Sequence, residues 1–576
     1  MKRWFPYTSR VKGRISPAAL ICSYCMTSVL IAPGLLAQDA GELLRDSQLP
    51  KPPPVQSQKS GAASTNPPAK VECRPPFFKI SQVDLVGVTL FSRHELEALK
   101  SIALGPSVCL ADIERLAQTI DRFYLENGYL ARTVIPEQDV VSGKIQLVVT
   151  ESRLGKIDLT TPPEGVRFNL DKAYDVATSG QPDSGLLNIH ELQDSMRSLS
   201  GTPGVSASAQ LVPSLTVEGT DVVIRLEDTD LVSSTVLADN HGSRFVGQER
   251  LLGFMVLDGP FGLGYQFTGT AVKTEGSQTL ALSGSLPVSH RGARFNASLS
   301  YLDYHLIDVE TAGDGEALSG TVQLSLPNLL SKPLNSTDSL ILSQSHLKDR
   351  VAGIESANKI VTAITARTQG FWYEGDTGGL YSYSASATVG DVDLSGNRGS
   401  LAQDTQTAKT NGRFLRVNGQ FTYKRPVNDL FQLTLAARAQ HSFDNLDSSQ
   451  KMSLGGVRGI RAYPTGEASG DSAVLIRTEL RRPLNPELSG FTFLDAGWLR
   501  LNSTPWAGWN TGSSVKNEYT LHGLGVGVDW LPTSQIKVGA MVSYQLGNNP
   551  GKDSHGNDSD GRSSDTRAWL ELSMKF

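Results

Sequence analysis

The sequence predicts a transmembrane β-barrel of about 16 antiparallel strands, preceded by two small α+β modules and a short N-terminal helix. Three observations predict it. From residue 229 onward long helical periodicity disappears. Segments of roughly ten residues take over, alternating apolar and polar side chains as tilted membrane strands do. The connections alternate between long polar stretches (502–517 and 547–565) and a short turn (531–534). An apolar run behind a basic N-terminus marks the chain for export. Composition agrees. The chain has 576 residues, 19% of them charged, 55 glycines, a mean hydropathy of −0.19 and a net charge of −5. That is too polar for a bundle of membrane helices and carries no basic field for nucleic acid. Four cysteines exclude a disulfide-dense scaffold.

Residues 1–37 read as a cleaved secretory signal. Lys2, Arg3, Arg10, Lys12 and Arg14 form the basic region, Ala18 to Leu36 the apolar run, and cleavage is expected after Ala37. Cys22 and Cys25 would leave with it. Cys73 and Cys109 would remain in an oxidising space, an even count that points to one disulfide. In segment 38–72, Asp39 to Gln48 forms a brief helix carrying Leu43 and Leu44. Pro50 and Pro52-Pro53-Pro54 stop it, and a Pro- and Ser-rich tether follows.

Residues 73–153 read as a βααββ module. Ile80, Val83, Leu85 and Val86 suggest a strand. Ser92 and Glu95 form a capping box before Leu96, Leu99 and Ile102. Ile113, Leu116, Ile120 and Tyr124 share a face of a second helix that Gly128 stops. Two strands, 130–135 and 145–149, flank a turn at Gly143. Residues 154–228 repeat the plan. Lys156 to Leu159 begins a strand, and Asn188 and Glu191 cap a helix carrying Leu192, Met196 and Leu199. Val205 to Leu211 alternates, and Val222 to Leu226 closes the unit.

Residues 229–576 form the barrel. The 348 residues allow about 16 strands at about 22 residues per strand and its loop, with 14 or 18 open on the same arithmetic. In the last strand Ala568, Leu570, Leu572, Met574 and Phe576 alternate with Arg567, Trp569, Glu571, Ser573 and Lys575. Leu524, Val526, Val528 and Trp530 oppose Gly523, Gly525, Gly527 and Asp529, and a glycine face suits a crowded interior. A soluble β-sandwich would alternate too, but about 350 residues is large for one.

This order of parts resembles the two-partner secretion transporters, the TpsB or haemolysin secretion/activation family. Its members carry periplasmic POTRA modules before an outer-membrane barrel. The segment NGYLARTVIPEQDVVSGKIQLVV (127–149) is similar to the family's first POTRA, through Gly128, Tyr129, Pro136, Gln138, Asp139 and Gly143. DNHGSRFVGQER (239–250) is similar to its first barrel strand and loop. The most specific matches are LGGVRGIRAYPTGEASGD (454–471) and FTFLDAGWL (491–499). The resemblance implies a sixth extracellular loop folded into the lumen, whose arginine pairs with the aspartate of an F-x-D-x-G strand. Arg458 and Arg461 both compete for that role. The register of Tyr463, Pro464 and Gly466 downstream favours Arg461. Asp495 is the implied partner, and parity supports it. Phe493, Asp495 and Gly497 share one strand face, and a carboxylate at membrane depth must face the lumen.

The resemblance further implies an outer-membrane translocator. It would take one large secreted exoprotein from the periplasm and export it unfolded, with an activating role toward that partner left open. Outer-membrane lipid, periplasmic chaperones and the barrel-assembly machinery are the other implied partners, and Phe576 is the implied barrel-insertion signal. No phosphate-loop, paired-histidine or triad constellation is legible, so no enzyme, metal or cofactor is expected. A barrel-assembly insertase of the same superfamily is the alternative.

Overall fold

The computed structural model describes residues 38–47, 73–140, 142–182, 185–215, 219–327, 335–375, 377–511 and 515–576. The expected signal and the Pro-rich tether lie outside these residues.

The first module, from residue 73, has a three-stranded sheet ordered Gln82–Val86, Lys144–Glu151, Ala131–Val134. The first pair is parallel and the second antiparallel. Helices Arg93–Lys100 and Leu110–Glu126 cover it. Ser92 and Glu95 form the capping box. Ile113, Leu116, Ile120 and Tyr124 are buried against Ile145, Leu147 and Val149, and Leu96 is buried as well. The first apolar stretch differs from its one-strand reading. It breaks into Phe78–Ile80 and Gln82–Val86, and the former pairs with Gly105–Val108 in a separate ribbon. Both Ser81 and Gln82 donate their backbone N–H to the Gly143 carbonyl, which diverts the chain between two sheets. Cys73 and Cys109 are disulfide-bonded, tying this ribbon's end to the N-terminus of the second helix.

The second module has sheet order Arg153–Thr160, Gly219–Asp228, Val205–Pro213, covered by helices Leu170–Thr178 and Ile189–Ser200. The Asn188 side chain caps the latter helix by accepting from Glu191 N–H. This module abuts the turns at one end of the barrel. The Arg197 guanidinium donates to Asn335, Ser198 Oγ to the His290 carbonyl, and Asn169 N–H to the Gly262 carbonyl.

Sixteen antiparallel strands then close a barrel, from Val232–Asp239 to Thr566–Lys575. In this barrel numbering, strands 8 to 11 are Ile354–Glu374, Gly379–Asp393, Gly412–Asn428 and Phe431–Ser442. Strands 12 to 14 are Ser472–Pro483, Leu488–Arg500 and Glu518–Trp530. Two features depart from the even ten-residue reading. Strands Asn335–Val351 and Ile354–Glu374 run for 17 and 21 residues, and only Ala352 and Gly353 join them. This hairpin rises past the hydrocarbon, which needs about 9–11 residues of tilted strand. Its outer face there carries ion pairs, Arg350 with Asp314 at 2.8 Å and Lys348 with Glu316 at 3.4 Å. Lipid would not accept them at depth. Second, that connection is short although it lies at the end where 443–471 and 546–565 are long.

At the closure, Glu571 to Lys575 pair with Thr235 to Asp239. Phe576, two-thirds exposed, exchanges both backbone hydrogen bonds with Ser234.

Candidate functional site in the barrel lumen

The connection 443–471, between barrel strands 11 and 12, is the sixth at the end of the barrel away from the α+β modules. It folds inward. Met452–Ser453 pairs with Ser469–Gly470 and narrows the loop into a hairpin. Beyond it Ile460 N–H reaches the Leu454 carbonyl at 2.6 Å and Tyr463 N–H the Ile460 carbonyl at 3.1 Å. These bonds satisfy the main chain within the tip, so it can leave water. Leu454, Ile460, Ala462 and Tyr463 are fully buried against Leu475, Leu499 and Leu521 of the wall.

The wall is shaped for that tip. The middle of the inward face of strand 14 is Gly523, Gly525 and Gly527. A Cβ on Gly523 would lie 2.5 Å from Ala462 Cβ, and one on Gly497 would lie 2.9 Å from both Ile460 and Leu454. Gly466 turns the loop with φ 89°, where a side chain is strained. Pro464 precedes it, and its carbonyl accepts from Glu467 N–H at 3.2 Å.

Arg461 is 3% exposed and Asp495 fully buried. Their contact is bidentate, Nε to Oδ2 at 2.9 Å and Nη2 to Oδ1 at 2.8 Å. The Arg461 backbone N–H adds a third bond to Oδ2 at 3.0 Å. Nη1 donates to Glu479 at 2.8 Å. The guanidinium lies 3.5 Å above the centre of the Phe493 ring, a cation–π contact. The Arg461 carbonyl accepts from Ser543 Oγ and Trp569 Nε1, both at 2.7 Å. Every ionised group thus has a charged or dipolar partner, the condition for holding a pair in low dielectric. Arg458, the competing arginine, is exposed.

Other loops hold the flanks. Both Glu467 carboxylate oxygens accept bonds from loop 546–565, from Asn549 at 3.0 Å and Ser559 N–H at 2.7 Å. In that loop Asp558 and Asp560 bind Arg567 of the last strand. Asp471 is fully buried and accepts from Leu446 N–H and Ser503 N–H.

Helix Ala40–Ser47 also lies in the lumen. Asp39 caps it by accepting from Glu42 N–H at 2.8 Å. Ala40, Leu43 and Leu44 pack on inward residues including Leu302, Ala317, Leu347, Val361 and Phe414. Its other side faces the loop. The Arg45 guanidinium donates to the carbonyls of Ser448 and Lys451, and Ser448 Oγ donates to Asp39. Lys359, 4% exposed, reaches Asp447 of the loop at 2.8 Å and Asp39 of the helix at 3.4 Å.

Sequence reasoning missed Glu479, Ser543, Trp569 and Lys359. A signal for the first existed. Arg477, Glu479 and Arg481 alternate on one strand, so three charges share a face that can only be luminal. Nothing local marks the others.

The family model described as haemolysin secretion/activation protein ShlB/FhaC/HecB matches residues 218–528, and a POTRA domain of ShlB type matches 78–152. The chain is 23% identical to the heme/hemopexin transporter protein HuxB of Haemophilus influenzae strain 86-028NP over 502 residues, covering 83% of this chain and 85% of that one. It is 24% identical to the hemolysin transporter protein ShlB of Serratia marcescens over 511 residues, covering 83% and 87%. Among solved structures, CdiB from Escherichia coli superposes with a TM-score of 0.71 at 17% identity, covering 89% of this chain and 93% of that one.

Proposed function

As the chain belongs to the haemolysin secretion/activation family ShlB/FhaC/HecB, and so is an outer-membrane transporter of two-partner secretion, we propose that its POTRA modules bind one unfolded exoprotein in the periplasm and its barrel passes that chain outward. The barrel lies in the outer membrane with the POTRA region in the periplasm.

The observation that carries this reading is a lumen filled by two separable pieces, a loop tip and a helix, each held by polar contacts. A static pore needs no such fittings. On the periplasmic side, Ala131–Val134 is an edge strand beside a groove lined by Glu114, Gln118, Asp121 and Ile135. Asp121 Oδ1 accepts from Thr133 N–H at 2.7 Å and so blunts that edge. An extended segment that displaced the carboxylate would pair with the strand by β-augmentation. Transport proceeds by release of helix 40–47, then threading past the loop tip that Arg461 and Asp495 fasten. Folding of the exported chain outside draws it through.

The insertase alternative draws on one observation, the closure of the barrel, where five residue pairs hold the first and last strands while strands 13 and 14 share thirteen. Deleting the gene separates the two. The proposal expects one large protein to vanish from the medium with the outer-membrane profile intact. Depletion of many barrel proteins would establish the insertase instead.

A further inference from the structure

The inward faces of barrel strands 8 to 11 are unlike the rest of the lumen. Register and parity place five cations there: Lys359 and Arg367 on strand 8, Arg416 and Lys424 on strand 10, and Arg438 on strand 11. Not one carboxylate shares those faces. Between the cations stand Thr365, Gln369, Ser384, Ser386, Thr388, Asn418, Gln420 and Gln440. On strands 12 to 16, by contrast, the inward cations Arg477, Arg481 and Lys537 pair with inward carboxylates of the wall, those of Glu479, Asp495, Asp529 and Glu571, while Arg567 pairs with Asp558 and Asp560 of loop 546–565. Lys359 has carboxylate partners within 4 Å, and they come from the helix and the loop, not from the wall.

The three arginines lie close in register. Arg367 is across from Ser386, which is across from Asn418, and Arg416 and Gln420 flank Asn418 on the same face. Gln420 is in turn across from Arg438. Arg367 is exposed to the lumen and forms no ion pair within 4 Å among the described residues. The Arg416 guanidinium donates to Gln440 and to the Gln450 carbonyl, while its Nε is buried without a partner. Arg438 donates to the Arg458 carbonyl. At rest, two of these cations therefore hold main-chain oxygens of loop 443–471.

Cations at membrane depth are costly, and a row of them on wall faces that carry no carboxylate sets up a positive field in a narrow, low-dielectric conduit. Rings of arginine and lysine are what anion-selective pores use. We infer that strands 8 to 11 form a basic track that makes the opened conduit prefer anions and engages the carboxylates of the polypeptide passing through it. The polypeptide half of this inference rests on the proposed transport function; the ionic half does not. The neutralised wall of strands 12 to 16 keeps the loop seated while the basic wall faces the cargo.

The test is the zero-current potential of single barrels in planar lipid bilayers under a KCl gradient, using the full chain and a form lacking residues 38–47, so that the lumen is opened. The expected result is chloride over potassium preference in the opened form, falling about threefold or more in R367Q/R416Q, since those charges set the field. Reversing one charge, in R367E, removes the same two units of charge and should move the potential by a similar amount toward cation preference. Lys424→Gln, a single change nearer the periplasmic mouth, serves if the double variant fails to insert, and should shift the potential in the same direction. An opened barrel without anion preference, or one whose potential ignores these variants, overturns the inference. Because the measurement needs no exoprotein, its failure would leave the secretion reading standing, and failure of secretion would leave the ion result standing.

Discussion

The tip of loop 443–471 and helix 40–47 share one lumen but are fastened in opposite ways. The loop tip is held by the barrel wall. Asp495, Glu479, Ser543 and Trp569 all bind Arg461 from strands, and a glycine face is cut to its shape. The helix is held in large part by the loop. Arg45 bonds loop carbonyls, Ser448 bonds Asp39, and Lys359 joins helix to loop through one ammonium. The wall itself attaches it through Ala40, Leu43 and Leu44, through the Ala40 N–H bond to Asp349 and through the Lys359 ammonium on Asp39. The fastening is therefore hierarchical. Freeing the helix leaves the loop seat whole, whereas freeing the loop removes most of what holds the helix. A helix released during transport, as proposed above, would suit this weaker, second-tier seat.

That asymmetry can be broken most severely at Asp495. The Asp495→Ala change leaves the Arg461 guanidinium buried without its carboxylate, a loss of about 3–5 kcal/mol. Secretion should cease, barrel insertion should persist, and ion conductance should rise because helix and loop both loosen. Normal secretion by this variant would show the pair to be dispensable.

Gly523→Val attacks the same seat by shape. Its Cβ would press on Ala462, and overpacking costs about 1–3 kcal/mol. Secretion should drop sharply with Arg461 and Asp495 both intact. An unaffected variant would mean that the tip tolerates displacement from strand 14.

Lys359→Met tests the other tier. It removes the shared cation of Asp39 and Asp447 and should raise resting conductance while secretion continues, since the loop seat is untouched. Loss of secretion here would contradict the hierarchy. Glu479→Gln should have the smallest effect. Glu479 is partly exposed and divided between Arg461 and Arg481, so about 1 kcal/mol or less is at stake. A modest fall in secretion rate is expected, and an effect equal to that of Asp495→Ala would show that the two carboxylates act as one unit.

Much of this was legible in the chain. Period-2 alternation from residue 229 specifies membrane strands because only one face meets lipid, and the length bounded their number near sixteen, with 14 or 18 left open until the barrel closed. The capping box at Ser92 and the Asn188 cap are local hydrogen-bond chemistry, readable within four residues. Parity alone put Phe493, Asp495 and Gly497 on one face. The break at Ser81 was not legible, because a carbonyl from Gly143 makes it.

What the sequence by itself determined is therefore whatever a residue owes to its near neighbours: which segments are strands, which face of each is luminal, where helices begin. What only the tertiary structure decided is which luminal groups meet. Lys359 stands 320 residues from Asp39 and 88 from Asp447, and Trp569 stands 108 from the Arg461 carbonyl it binds. No local pattern encodes such distances. They arise when sixteen strands close on themselves, because closure sets which inward side chains stand opposite one another and leaves an enclosed space in which a loop and a helix must find their partners.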